Sequence, residues 1–259
     1  MQVLKLGGSV VTDKNKPFTA NKENIRRLSM EVAEADAQPL VIVHGGGSYG
    51  HPLAKEYDIA DGYSYPKQVI GFSMTHQAMV KLNALIVATM LVAGVPAFSV
   101  APSSFIKTRG RRIRSVDLGI VRGSIDNGLV PVLYGDAVID AEQGFAILSG
   151  DQLVVKLASG LNAERIVLGS DVDGVYTGDP NLDKKAVLIE ELSIGELEQM
   201  TGIGDAVSTD VTGGMLAKVR EAAEAVKAGV EVLLVNATEP GRVEAALRGE
   251  NVIGTRFRR

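Results

Sequence analysis

Residues 42–52 read IVHGGGSYGHP, a stretch dense in groups that do chemistry. HGGG at His44–Gly47 has the form of an esterase oxyanion-hole loop, and Gly46–Gly50 fits GxSxG, the serine-hydrolase nucleophile elbow. In an α/β-hydrolase those signatures sit on two separate loops, and the triad histidine lies well downstream of the serine. Here they share Gly46 and Gly47, and the histidines are His44, His51 and His76, none in the C-terminal two-thirds. The hydrolase reading fails on both counts, and Ser48 reads as a loop hydroxyl. What remains is a strand, VIVH, running into glycines and then His51. Glycines at the carboxyl end of a parallel strand let backbone N–H groups approach an anion closely.

Other segments share this character. VLKLGGS at 3–9 puts Lys5 near a strand end, with Gly7-Gly8-Ser9 following, so that phosphates could lie against the amides beside the lysine. The lysine precedes the glycines, which excludes a P-loop, and no strand carries GxGxxG, which excludes a dinucleotide oxidoreductase. LSGDQ at 148–152 places Gly150 and Asp151 at a helix start, where Asp151 serves equally well as an N-cap or as an orienter of active-site groups. VLGSDVDGVYTGDP at 167–180 is a surface turn or a nucleotide loop. TGGMLAK at 212–218 sets a glycine pair at a helix start, with Lys218 about one turn in, facing solvent or reaching back to an anion.

The elements that must position these groups alternate along the chain. Strands are expected at 2–6, 40–44, 96–100, 130–133, 137–140, 145–148, 165–169 and 232–235. Helices are expected at 21–36 (capped by Asn21), 76–93, 116–127, 151–160, 193–200, 214–228 and 240–247. This is an α/β pattern with a largely parallel sheet and helices on both faces. Residues 82–100 read as a buried helix and a short strand rather than a membrane span, because Asn83, Gly94 and Pro96 interrupt the run. IKTRGRRIRS at 106–115 reads as a solvated basic hairpin, and 139–147 as a second hairpin turning near Gln143-Gly144.

The 259 residues are 46% hydrophobic and 22% charged, with a net charge of -4 and no cysteine. No basic field is available for nucleic acid or anionic lipid, and disulfides, thiolate metal sites and cysteine nucleophiles are excluded. The N-terminus reads as a strand, not a signal peptide.

Taken together, KLGGS (5–9), HGGGSYGH (44–51), SGDQL (149–153), SDVDGVYTGDP (170–180) and TDVTGGMLAK (209–218) resemble the amino acid kinase superfamily over essentially the whole chain. GSYGHP with His51, GFSMT at 71–75 and Lys14 narrow the resemblance to the branch whose acceptor is isopentenyl phosphate. The resemblance implies an open three-layer αβα sandwich forming a single domain over 1–259. Its N-terminal lobe (1–160) would bind acceptor and its C-terminal lobe (161–259) ATP, in a cytoplasmic homodimer. It implies ATP and Mg²⁺ as donor, with isopentenyl diphosphate and ADP as products.

By motif, the resemblance assigns Lys5, Gly8 and Lys218 to the ATP phosphates, with Leu6, Gly7, Ser9, Gly47 and Gly214 alongside. Asp171, Tyr176, Gly178, Asp179 and Pro180 would lie near the nucleotide. Gly46, Gly47, Gly50, His51 and Gly150 would hold the acceptor phosphate, Asp151 would orient the lysines, and Lys14 would stabilise the transition state. No side chain is assigned as a metal ligand. An apolar tail needs an apolar wall, for which Ile70, Phe72, Met74, Met79, Leu82 and Ile86 are the candidates. A phosphate monoester is almost dianionic at neutral pH and needs no general base, which suits a site of cations and amides. The alternatives are a same-fold kinase of another small anion (carbamate, an acyl amino acid, UMP or a phosphonate) and a nucleotide-binding sensor without catalysis.

Overall fold

The computed structural model describes residues 1–178, 183–196 and 213–259, with backbone alone at 213–214. The strands run β1 (Gln2–Leu6), β2 (Leu40–His44), β3 (Ala97–Ser99), β4 (Ile106–Arg109), β5 (Arg112–Val116), β6 (Val130–Tyr134), β7 (Asp136–Asp140) and β8 (Gly144–Leu148). They continue with β9 (Arg165–Ser170), β10 (Val175–Tyr176), β11 (Leu188–Ile189), β12 (Glu191–Ser193), β13 (Glu231–Asn236) and β14 (Gly254–Arg258). The helices are α1 (Gly8–Val11), α2 (Lys22–Ala35), α3 (Gly47–Glu56), α4 (Gln68–Val92), α5 (Gly119–Asp126), α6 (Gly150–Leu161), α7 (Gly213–Lys227) and α8 (Arg242–Arg248).

One sheet of order β12-β14-β13-β9-β1-β2-β6-β3 forms the spine, parallel at every pairing except β13 with β14. Alternation along its strands splits the core in two. Val3, Val41, Val43, Ile166 and Leu168 face α6 and α7 residues such as Leu153, Leu157 and Val219. Leu4, Leu40, Ile42 and Val167 face Leu28 of α2, Ile86 of α4 and Val243 of α8. Residues one apart on a strand point to opposite faces, so apolar runs buried on both sides require helices on both sides. The result is a three-layer αβα sandwich with a largely parallel sheet.

A second sheet, β5-β4-β7-β8, flanks the spine and contains both expected hairpins. The basic turn uses positive φ at Gly110 and Arg111, the twist a tight hairpin needs. Asn21 caps α2 as its type predicts, accepting the Asn24 N–H at 3.1 Å.

Several elements depart from the sequence reading, among them α1, β10, β11 and β12, which it lacks, and three that bear on the site or the core. Helix α4 begins eight residues before the expected 76 and has the length and apolarity of a membrane span, but its Ala78, Met79, Leu82, Ile86 and Met90 are buried in the protein. Helix α3 is absent from the reading because three glycines and Pro52 obscure it. Proline has no N–H to give to Ser48, and the Ser48 carbonyl instead receives the Phe18 N–H at 3.0 Å, so no acceptor is orphaned. Strand β14 escapes because its arginines mask an alternation in which Thr255 and Phe257 are buried. The expected helix 193–200 lies partly outside the described residues; β12 runs to Ser193 and a helical turn starts at 194.

Candidate active site

Parallel pairing brings the carboxyl ends of β1, β2, β6 and β9 to one edge of the sheet, where crevices of open α/β sheets form. A cavity of about 640 Å³ opens there. Two of its walls are the glycine turns after β1 and β2, and these turns lock together. A Cβ on Gly8 would lie 2.4 Å from the Gly47 nitrogen, and one on Gly45 would lie 2.6 Å from the Gly8 nitrogen. Gly47 has φ +46, and a Cβ there would meet Thr12 Oγ1 at 2.0 Å. Glycine is the residue that permits this backbone-to-backbone contact. Gly46 and Gly50 stand differently, because their Cα atoms face Met79 Sδ across the cavity wall.

Lys5, at the end of β1, is 4% exposed and donates to Asp151 Oδ1. Asp151 opens α6, but the cap of that helix is Ser149, whose hydroxyl accepts the Asp151 N–H at 3.2 Å. The ambiguity in the sequence is thereby resolved: Ser149 caps, and the Asp151 carboxylate is left to hold the lysine. Burial lowers the Lys5 pKa, Asp151 opposes that, and Lys218 adds to it by like-charge repulsion. Lys218 reaches the same cavity from α7. Lys14, on the exposed loop after α1, forms an ion pair with Asp171 at the end of β9. Burial pushes the Asp171 pKa up, but hydrogen bonds from Lys14 and Ser9 outweigh it and the net shift is downward.

His51 lies on the second turn of α3 at the rim of the cavity, with Gly150 also in its wall. The protein around His51 and the Lys218 charge both lower its pKa from 6.5. An imidazole so placed is neutral near pH 7 and is poised to gain a proton when a dianion approaches.

Of the residues singled out in the sequence, the structure gathers Lys5, Gly7, Gly8, Ser9, Lys14, Gly46, Gly47, Gly50, His51, Met79, Gly150, Asp151 and Lys218 around this one cavity. Leu6 is buried in the core and does not line the cavity. Tyr176 turns its hydroxyl to Asp173 Oδ2 at 3.2 Å, and neither it nor Gly178 lines the cavity. Gly214 lies in the first turn of α7, while Asp179 and Pro180 fall outside the described residues.

The expected apolar wall needs correction. Ile70 is exposed, Phe72 stacks on Phe145 at 4.4 Å, and Met74 is exposed near Tyr57. Leu82 and Ile86 lie in the core between α4 and the sheet. At 100° per residue, positions 70 and 74 turn away from the face that carries Thr75 and Met79; Phe72 stays on that face but lies about two turns before Met79, against Phe145, and 82 and 86 run past the cavity's end. Met79 is the α4 methionine that does line it, joined by Thr75 one turn earlier and by Ile147 and Leu148 of β8.

Sequence reading also passed over Asp136, after the glycine that ends β6. Its buried carboxylate meets His76 Nδ1 at 2.9 Å and accepts the Ala137 N–H at 2.8 Å. The Tyr-Gly-Asp run at a strand end is the signal that would have found it.

A fold of this topology with lysines and glycine amides facing one cavity at the strand ends defines a phosphotransferase, and the family comparison agrees. The amino acid kinase family model matches residues 1–236, and the chain belongs to that family. It is 41% identical to the isopentenyl phosphate kinase of Methanothermobacter thermautotrophicus, over 99% of this chain and 98% of that one. A crystal structure of isopentenyl phosphate kinase superposes with a TM-score of 0.87 at 38% identity, covering 99% of both chains. A second, of an isopentenyl phosphate kinase substrate complex, gives 0.81 at 32% identity over the full length of both. Within the family, the chain stands in the isopentenyl phosphate kinase branch.

Proposed function

We propose that this protein transfers the γ-phosphoryl group of ATP to isopentenyl phosphate, giving isopentenyl diphosphate and ADP, in isoprenoid biosynthesis. The observation that carries the reading is the charge arrangement of the cavity: Lys5, Lys14, Lys218 and His51 face inward, while Asp151 and Asp171 are engaged by lysines. An acceptor that brings its own anionic oxygen needs no base, and of the carboxylates that line the cavity among the described residues Asp151 is engaged by Lys5 and Asp136 by His76. Phosphoryl transfer asks the protein for alignment and charge neutralisation, which cations and glycine amides supply.

In this reading Lys5 and Lys218 hold the β- and γ-phosphates from the C-terminal lobe side, with Asp151 keeping Lys5 charged and oriented. Gly46, Gly150 and His51 hold the acceptor phosphate in the N-terminal lobe, and the tail lies between Met79, Thr75 and Ile147. Lys14, steered by Asp171, meets the transferring group. Among the described residues no three His, Cys, Asp or Glu side chains gather into a metal cage. Mg²⁺ would enter as its ATP complex, with phosphate oxygens and water as its ligands, and would supply charge neutralisation for the transferring group. A cytoplasmic homodimer completes the reading, with sedimentation as its test.

The decisive experiment measures ADP release with ATP and Mg²⁺ across isopentenyl phosphate, carbamate, acyl amino acids, UMP and a phosphonate. Turnover is expected on isopentenyl phosphate above all others. Turnover of UMP or carbamate with none on isopentenyl phosphate would reassign the acceptor, and nucleotide binding without turnover of any would make the protein a sensor.

A further inference from the structure

His44, the histidine of the HGGG run, has no part in the chemistry above, yet it is wholly buried at the end of β2, beneath the acceptor loop. Its ring stacks on Tyr134 with centroids 5.5 Å apart. Asn83 of α4 reaches it from the other side. The Asn83 Oδ1 accepts the Ser99 hydroxyl, which turns Nδ2 toward His44 Nε2 at 3.2 Å and the Val132 carbonyl at 3.4 Å. An amide nitrogen donates, so Nε2 is the accepting nitrogen and the proton of the neutral ring is assigned to Nδ1. Nδ1–H then donates to the Gly45 carbonyl at 3.0 Å. Burial lowers the pKa of this ring to about 4, so the neutral tautomer persists at physiological pH.

A trans peptide points its C=O and the following N–H in opposite directions. With the Gly45 oxygen drawn inward to the His44 ring, the Gly46 N–H of the same plane points outward, toward the cavity that Gly45 and Gly46 line. Among the described residues no protein acceptor takes that proton. Glycines on both sides of the peptide leave its rotation nearly unopposed by sterics, so something else must hold it.

We propose that His44 is a positioning residue for the acceptor: its Nδ1–H, fixed by Asn83, holds the Gly45–Gly46 peptide so that the Gly46 N–H is presented to the acceptor phosphate. This rests on the acceptor reading given above. Loss of the bond frees the peptide to rotate and turns a carbonyl oxygen, rather than a donor, toward the phosphate.

His44→Asn and His44→Gln separate positioning from packing. Both remove the ring and its stack on Tyr134. Asparagine sets its amide nitrogen near the Nδ1 position and keeps a donor to Gly45, whereas glutamine sets it near Nε2 and loses that donor. Steady-state kinetics with isopentenyl phosphate and ATP are measured alongside Tm. H44Q is expected to raise the acceptor KM about tenfold and H44N no more than about threefold, the ATP KM staying level and Tm falling alike in both. Equal acceptor KM values in the two variants, or a rise in ATP KM alone, overturns the proposal.

Where neither variant folds, the ¹⁵N-labelled wild type decides. The Gly46 amide proton is expected to move downfield on saturation with isopentenyl phosphate or inorganic phosphate, and a Gly46 amide unmoved by both overturns the proposal. Failure of the wild type to phosphorylate isopentenyl phosphate would sink the acceptor reading separately, and the phosphate titration still reports on the amide.

Discussion

Asp151→Asn tests the charge balance of the site with the smallest change of shape. The amide keeps the side-chain volume and leaves the Ser149 cap untouched, but it removes the negative charge paired with Lys5. Lys5 is 4% exposed, and burial and the Lys218 charge already depress its pKa; Asp151 is the group that opposes them. Breaking a buried pair costs roughly 3–5 kcal/mol and a surface pair about 0–1. The Asp151 side chain is 16% exposed at the cavity, which places the cost in folding stability between those ranges, at about 2–3 kcal/mol; the rate is expected to fall on the order of 100-fold, as when one preorganised transition-state donor is impaired. The sign of the pH effect follows as well. Without Asp151 the Lys5 pKa falls further, so the lysine loses its proton at lower pH, and the basic limb of the kcat/KM profile for ATP moves toward acid. The deficit is therefore expected to be larger near about pH 9 than near about pH 6.5. Activity within twofold of wild type, with the basic limb unmoved, would refute the idea that Asp151 sustains the charge on Lys5.

The other predictions concern separate parts of the site. His51→Ala is expected to raise the acceptor KM by tenfold or so while ATP affinity, measured by calorimetry, is retained; collapse of ATP affinity with acceptor handling intact would mean the two sides of the site are reversed. Gly8→Ala is expected to destabilise by about 3 kcal/mol, the upper end of overpacking costs, because its Cβ would meet backbone rather than a movable side chain. Gly150→Ala is the control for urea unfolding, since a Cβ there meets ordinary contacts at 3.6–3.7 Å. The hydrogen bond to Asp136 raises the His76 pKa above 6.5. The stability this contributes is complete below the unfolded pKa of about 6.5 and is lost as pH rises through the folded value. His76→Gln is expected to flatten the fall of unfolding free energy over that window, and an unchanged slope would show the pair to be energetically silent.

The parts of this molecule visible in the sequence are those with a short-range cause. Apolar runs ending in glycine marked β1, β2 and β9, and Asn21 marked its helix, because pattern and cap are local. The lysines and glycine loops that line the cavity were legible as candidates for the same reason. What stayed hidden depended on distant partners. Pro52 is tolerated in α3 because Phe18, far back in the chain, takes the carbonyl that proline cannot use. Which α4 residues face the cavity depended on where β8 and α3 press against that helix, so Met79 was found among five neighbours that lie elsewhere. Asp151 could not be told from a cap until the Ser149 hydroxyl was seen to occupy that role.

The three glycines after His44 also cease to be equivalent once the loops are in contact. Gly45 and Gly47 are required by the backbone of the first loop: a Cβ on either would strike Gly8, and Gly47 also needs its positive φ. These two glycines serve assembly, fastening the strand end that carries Lys5 to the strand end that leads to His51. Gly46 lies between them, free of that contact, with Met79 facing its Cα and the cavity in front. An alanine at 45 or 47 should therefore harm folding and both substrates together, whereas one at 46 must displace a flexible methionine end and should harm the acceptor first. The run of identical residues divides into two that lock the two loops in register and one that faces the cavity where the acceptor is proposed to bind.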